Sequence, residues 1–381
     1  MPAARTLSDR ERLDWLRLAR SENVGPITFD RLLHHYDSAA NALDALPGLA
    51  RRGGSARPLR ICSHHEAEGE LERVAALGCR IVAKQEADYP AALAAAEAAP
   101  PVLTIRGAGA ALSLPAVAIV GSRNASALGC RLAGDLARGL AEAGYAVVSG
   151  LARGIDAAAH EASVETGTIA VMAGGIDQPY PPENVPLFEA LCQSGTGVAA
   201  TEMPLGWQPR ARDFPRRNRI IAGIGLGLVV VEAAHRSGSL ISARNAGELG
   251  RMVFAVPGSP LDPRAAGTNA LIRDGAILAG KADDIVQALA PMAGDTGGNA
   301  TLNLIPHDDD TIPPRAAPTT GDQHARIAGA LGPAPTALDD LVRHSGLSPA
   351  ETYAVLLELD LAGRLARHPD GCVSLLPDRS D

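Results

Sequence analysis

From residue 116 to about 289 the chain predicts an α/β fold: a Rossmann-like, doubly wound, mostly parallel sheet. Two observations carry this expectation. Short runs rich in Val, Ile and Ala recur at 116–120, 146–148, 168–172, 198–200, 228–231, 252–256 and 276–278. Amphipathic stretches separate most of them, among them 129–143, 156–166 and 240–249. Strand–helix alternation with β-branched strands builds parallel sheets. Ligands of such sheets sit at the carboxyl ends of the strands, where this chain carries its Gly- and Ser-rich segments.

The flanks read differently, and the chain divides into four parts. Residues 1–80 form a small helical domain. Leu13, Leu16 and Leu18 keep helical spacing, Asn23-Val24-Gly25-Pro26 breaks it, and Phe29, Leu32, Leu33 and Tyr36 resume it. Helix, turn and helix suggest a helix-hairpin-helix or SAM-like unit; a plain helical packing domain fits the pattern as well. Residues 81–290 are the Rossmann-like core. Residues 291–322, rich in Pro, Gly and Thr, read as a flexible linker. Residues 323–381 predict three helices and a hairpin around Asp370-Gly371, a winged-helix-like domain. Its third helix carries Glu351, Glu358 and Asp360, whereas a helix that reads duplex DNA is basic there, so a protein-contact or regulatory role is favoured.

Bulk properties narrow the function. The 381 residues carry a formal net charge of -8, which argues against indiscriminate binding to duplex DNA or membranes and leaves room for a focused basic groove. Lys84 and Lys281 are the only lysines, so nearly all positive charge is arginine. The longest apolar run, 220–231, is too short and Gly-rich to cross a bilayer, and no signal-peptide core follows Met1. Five scattered cysteines without a C-x-x-C pair argue for a reducing cytoplasm and against zinc or a disulfide framework. No metal or cofactor is expected.

The strongest local signal is Phe214-Pro215-Arg216-Arg217-Asn218-Arg219, inside a stretch from Arg210 with five arginines and one acid, Asp213. Anchored arginines hold phosphates. Gly121-Ser122-Arg123 closes the first strand and opens a helix, an arrangement suited to anions; Arg123 stands where a dinucleotide fingerprint needs its second glycine. Ser237-Gly238-Ser239 repeats the arrangement with hydroxyls and free amides. Ser149, Gly150, Arg153, Asp156 and His160 follow the second strand. Asp156 and His160, four apart, read either as an acid–base pair or as a structural carboxylate beside an imidazole, the latter favoured because no nucleophile accompanies them. Gly174-Gly175 permits close approach of a backbone or a ligand. Phe214 is placed either to stack on a base or to pack inside. Several anion-receptive turns in one row suit consecutive phosphates of a single strand better than one nucleotide. A P-loop-like stretch at 275–282 is rejected, because Ala282 replaces the Mg²⁺-binding hydroxyl.

These residues resemble the DNA-processing protein A family (DprA, also called Smf). The resemblance rests on Val-Gly-Ser-Arg at 120–123, Ser-Gly-Leu-Ala-Arg-Gly-Ile-Asp at 149–156 with His160, Gly-Gly-Ile-Asp with Tyr180-Pro181, the 214–223 segment, Glu232, Ser-Gly-Ser-Leu at 237–240 and Val256-Pro-Gly258. Ser242 stands where Thr is common in the family. The resemblance implies a non-enzymatic protein that binds and protects incoming single-stranded DNA, loads RecA onto it during natural transformation and recombination, and acts as a homodimer. It implies a DNA pocket of Arg123 and Arg216 to Arg219, its wall completed by Ser122 and the 237–239 turn, with Glu232 in support. The rival expectation is a nucleoside-monophosphate phosphoribohydrolase on a related fold. Such enzymes carry a Pro-Gly-Gly-x-Gly-Thr turn with a catalytic Glu after it; here Glu232 precedes Ser-Gly-Ser-Leu.

Overall fold

The computed structural model describes residues 5–293, 319–368 and 371–376. Residues 294–318 of the expected linker, and Asp370 of the expected turn, lie outside the described residues. The chain forms two compact units: Met1–Leu7 with Gly69–Leu302, and Ser8–Glu68 with Asn303–Asp381. Ser8–Glu68 and the C-terminal segment, separate in sequence, thus share one unit.

In chain order the elements are α1 (Asp9–Arg20), α2 (Pro26–Tyr36), α3 (Ala39–Arg52), α4 (His64–Ala76), β1 (Cys79–Ala83), α5 (Ala91–Ala94) and β2 (Val102–Gly107). Next come β3 (Ala116–Val120), α6 (Ala127–Glu142), β4 (Ala146–Ser149), α7 (Ile155–Ser163), β5 (Thr168–Val171), α8 (Val185–Gln193) and β6 (Val198–Thr201). The sheet is completed by α9 (Asp213–Ile224), β7 (Gly227–Val230), α10 (Gly238–Glu248), β8 (Met252–Ala255), α11 (Ala266–Arg273), β9 (Ile277–Leu278) and α12 (Ala282–Ala293). The C-terminal module has α13 (Gly321–Ala330), α14 (Leu338–Ser345), α15 (Pro349–Leu361), β10 (Leu365–Arg367) and β11 (Val373–Leu375).

The large sheet has nine strands in the order β1-β2-β6-β5-β4-β3-β7-β8-β9. Every pair from β6 to β9 is parallel, as expected. The sequence reading missed β1 and β2, which pair antiparallel at one edge. Period-two alternation sorts the core. Ala116, Ala118 and Val120 of β3 pack with Ile220 and Ile221 of α9 and Ala243 of α10. Val117 and Ile119 face the other way, against Leu136 and Leu140 of α6, Ile155 of α7 and Leu289 of α12. With both faces covered, the strands read as unbroken apolar runs rather than alternating ones.

The order also fixes where a ligand can sit. Chain progress runs from β3 to β6 on one side, then restarts with β7 on the other side of β3. Strand order therefore reverses at β3, and the crevice lies outside the carboxyl ends of β3, β4 and β7.

In the other unit a capping box between Ser8 and Glu11 starts α1. Trp15 meets Phe29 edge-on at 5.0 Å. Asn23, at φ 59°, turns the chain before Pro26 begins α2. The winged-helix domain has its own core of Ile327, Leu341, Val355, Leu356, Leu359, Leu365 and Val373.

Candidate nucleic-acid interface

The crevice is built by interlocking turns. Gly121 leaves no room for a side chain: a Cβ there would lie 2.6 Å from Ile155 Cγ1. A Cβ on Gly154 would lie 2.4 Å from the Ser122 carbonyl oxygen. The Ile155 amide donates to that same carbonyl at 3.3 Å. The Gly-Ser-Arg turn is thus clamped on the start of α7, and Arg123 projects outward and is exposed. Its guanidinium lies 5.0 Å from the centroid of the half-buried Phe214 ring. Tyr180, exposed, meets Phe214 edge-on at 5.7 Å. Among the described residues Arg123 forms no ion pair.

The arginines of α9 divide by helix register. Arg217 falls in step with Ile220, Ile221 and Ile224 on the buried face. Its Nη1 donates to the carbonyls of Gly150 and Val171, each at 2.6 Å, and its Nε to Asn218 Oδ1 at 3.1 Å. Burial pulls its pKa down to about 10, against the pull of Asp156. Gly150 is required for this approach, since a Cβ would sit 2.5 Å from the guanidinium. Arg216 and Arg219, three apart, share the opposite side and the same acid. Arg216 grips Glu202 at 2.8 and 3.2 Å, and Arg219 reaches it at 2.5 Å. Arg219 also donates to the Ala98 carbonyl. Half of the Arg216 side chain stays exposed. The expectation that Arg217 and Arg219 face phosphates alongside Arg123 thus meets a different geometry: Arg217 is 5% exposed and inside the fold. Trp207 Nε1 and the Arg210 amide both donate to buried Asp213 at 2.9 Å, which fastens the approach to α9.

The two helix starts also differ. At α6, Glu232 accepts from the Ser126 amide at 2.9 Å and its hydroxyl at 2.5 Å, and Ser126 Oγ accepts from the Gly129 amide at 2.9 Å. The expected anion site at this helix N-terminus is thus filled by the protein's own carboxylate. At α10, Ser237 Oγ accepts from the Ser239 amide at 3.4 Å and contacts Ser239 Oγ at 2.7 Å. Nothing lies within 4 Å of a Cβ built on Gly238, and Asn218 ties this turn to α9 by donating to the Gly238 carbonyl at 3.4 Å.

The remaining expected residues are engaged by groups of the protein itself. Ser149 Oγ donates to the Ile119 carbonyl at 2.6 Å. Asp156, buried, accepts from the amides of Gly150 and Ala152 at 3.1 and 3.3 Å. Burial raises its pKa, opposed by Arg217 and those amides. His160 meets Thr168 Oγ1 at 2.7 Å, and burial pushes it down to about 3, so it is neutral at pH 7. Arg153 pairs with Glu183. Cβ atoms on Gly174 and Gly175 would strike the 204–209 loop, at 3.0 Å from Trp207 O and 2.6 Å from Pro204 O, so this glycine pair admits backbone rather than a ligand. The sequence reading did not single out Tyr180 or Glu202 as site residues. Glu202 follows the end of β6, a strand-end position that marks it as a candidate; for Tyr180 the signal was an aromatic beside proline after β5. A cavity of about 580 Å³ lined by Leu240, Arg244, Arg251, Leu271 and Asp274 contains none of the expected residues.

Fold and site define an α/β protein with a strand-end crevice walled by arginine and aromatic side chains, with small helical domains before and after this core in the sequence. Residues 80–290 match the model for DNA recombination-mediator protein A. Residues 9–73 match the DprA-like N-terminal HHH domain, and 311–371 the DprA winged helix domain. The chain belongs to the DNA recombination-mediator protein A family, also called DprA or Smf. It is 29% identical to Protein Smf of Synechocystis over 95% of this chain and 98% of that one. Protein Smf of Escherichia coli is 37% identical over 75% of each chain. Among solved structures, DNA processing protein A from Streptococcus pneumoniae matches with TM-score 0.60 at 32% identity, covering 74% of this chain and 98% of that one. The Helicobacter pylori protein, described for its single-stranded DNA binding mode, matches with TM-score 0.50 at 28% identity over 53% of this chain and 93% of that one.

Proposed function

We propose that this protein binds single-stranded DNA across the carboxyl ends of β3, β4 and β7, protects incoming strands, and loads a RecA recombinase onto them in transformation and homologous recombination. In this reading it works in the cytoplasm as a homodimer and carries out no bond-making chemistry. The observation that carries the reading is Arg123: an exposed guanidinium over Phe214, with Tyr180 beside it, at the topological switch point. A cation over one aromatic ring, with a second ring against the first, offers phosphate pairing and base stacking in one place. Arg216 adds half-exposed charge, and the Ser237-Gly238-Ser239 turn adds hydroxyls and an open helix start. Arg217, Asn218 and Arg219 hold the wall from behind. The family match and the described binding mode of the Helicobacter pylori relative support the same substrate.

The absence of catalysis is proposed on engagement. Glu232 is committed to Ser126, Asp156 to two amides, and His160 is buried and neutral. Titration with an oligo-dT across salt concentrations tests the binding. Affinity that falls with rising salt is expected; no binding at moderate salt would refute the reading. Release of free base from nucleoside monophosphates would refute the non-enzymatic part.

A further inference from the structure

The third helix of a winged-helix module that reads duplex DNA presents a free polar or basic face to the groove. Helix α15 has no such face. No residue from 350 to 361 is exposed, and Val355, Leu356, Leu357, Glu358, Leu359 and Leu361 are all buried. A helix covered all round is packed against something on every side. One side meets the module's own core through Val355, Leu356 and Leu359. The other side meets the N-terminal helices of the same unit.

That second contact is made of specific groups. Arg52, at the end of α3, donates from Nε to Glu358 Oε1 at 2.6 Å, and Glu358 is 1% exposed. Thr28 of α2 donates to Asp360 Oδ2 at 2.8 Å, and Arg367 grips the same oxygen at 3.0 and 3.1 Å. Asn23 Nδ2 donates to the Leu361 carbonyl at 2.9 Å. The Arg31 guanidinium lies 4.8 Å from the Tyr353 ring centroid. At Gly53 the backbones come so close that a Cβ would stand 1.9 Å from the Glu358 carbonyl oxygen. Thr319 and His324 complete the shell around Glu358. Burial alone would raise this carboxyl; the hydrogen bonds from His324, Thr319 and Arg52 outweigh it and hold it low. Two of the three acids that make α15 unsuited to DNA, Glu358 and Asp360, are groups that seat it on α3 and α2.

We propose that α15 is a protein-docking helix rather than a DNA-reading one, and that its resident partner is the chain's own N-terminal helical domain, the two held together as a clasp. Hydrogen exchange on the full-length chain tests it, with Gly53→Leu and Arg52→Glu as two independent ways to open the clasp from the N-terminal side. In each variant, peptides from 349–361 and from 39–52 are expected to exchange about tenfold faster than in the unaltered protein. Peptides from 116–120 and 227–230 are expected to stay unchanged, which shows in the same sample that the sheet is folded. Equal exchange of 349–361 in the unaltered protein and in both variants would overturn the clasp. A second arm titrates the opened variants with a duplex oligonucleotide. Unchanged duplex affinity is expected; a tenfold gain in both variants would show a masked DNA-reading helix and overturn the docking role.

Discussion

Arg123 and Arg217 stand near the same ring, 5.0 and 6.0 Å from the centroid of Phe214, yet they belong to different worlds. Arg123 rises from a clamped turn into solvent and pairs with no acid among the described residues. Arg217 lies beneath the surface with carbonyl oxygens as its partners. The carbonyls of Gly150 and Val171 end two neighbouring strands, so Arg217 ties β4 to β5 at the floor of the crevice. The pair shows that an arginine cluster is not one kind of object. A free guanidinium is available to a ligand, whereas a desolvated one bonded to backbone determines the shape of what the ligand meets.

The sharpest way to break the comparison is Arg217→Ala. It strands two buried carbonyls and removes the positive charge that offsets buried Asp156, and is expected to cost about 3–5 kcal/mol of stability. Urea denaturation measures it; a loss below ~1 kcal/mol would place Arg217 among the binding residues instead.

The floor of the crevice also predicts a pH dependence. His160 has a folded pKa of about 3 against an ordinary 6.5, because burial disfavours its charged form. The unfolded chain therefore binds the extra proton between those values. His160's contribution is fully present above pH 6.5 and is lost as pH falls toward 3. Between pH 6.5 and 5 the loss is about 2 kcal/mol from this group. His160→Gln should flatten that portion of the stability profile, and an identical profile in the variant would contradict the assignment.

Arg123→Ala is expected to have the smallest effect on stability, within about 0.5 kcal/mol, because the side chain is exposed. Oligo-dT affinity should fall several-fold and the salt slope should flatten by about 0.7, the contribution of one phosphate contact on a single strand. Unchanged affinity and slope would detach Arg123 from the interface.

Much of this molecule was determined by sequence alone. The strand–helix rhythm specified the parallel sheet, because strands covered on both faces must be apolar throughout. The helical N-terminal segment and the winged-helix module were readable from their periodicity and their turns. The pair β1 and β2 was not. Its residues lie before the regular alternation begins, and antiparallel pairing at a sheet edge leaves no crossover helix to announce it.

Within the candidate site, the sequence marked the stretches that line it but not their exposure. The register of Arg217 with Ile220, Ile221 and Ile224 was written in the spacing; which face of α9 turned inward depended on the sheet it packs against. Only the tertiary structure decided that Glu202 would hold Arg216 and Arg219, that Glu232 would fill one helix start while another stayed open, and that Glu358 and Asp360 of α15 would seat it on α3 and α2. Charge is local and can be read from a chain, but whether a charge meets water, a carbonyl or a carboxylate depends on residues brought from far along it, and that long-range pairing decides its role.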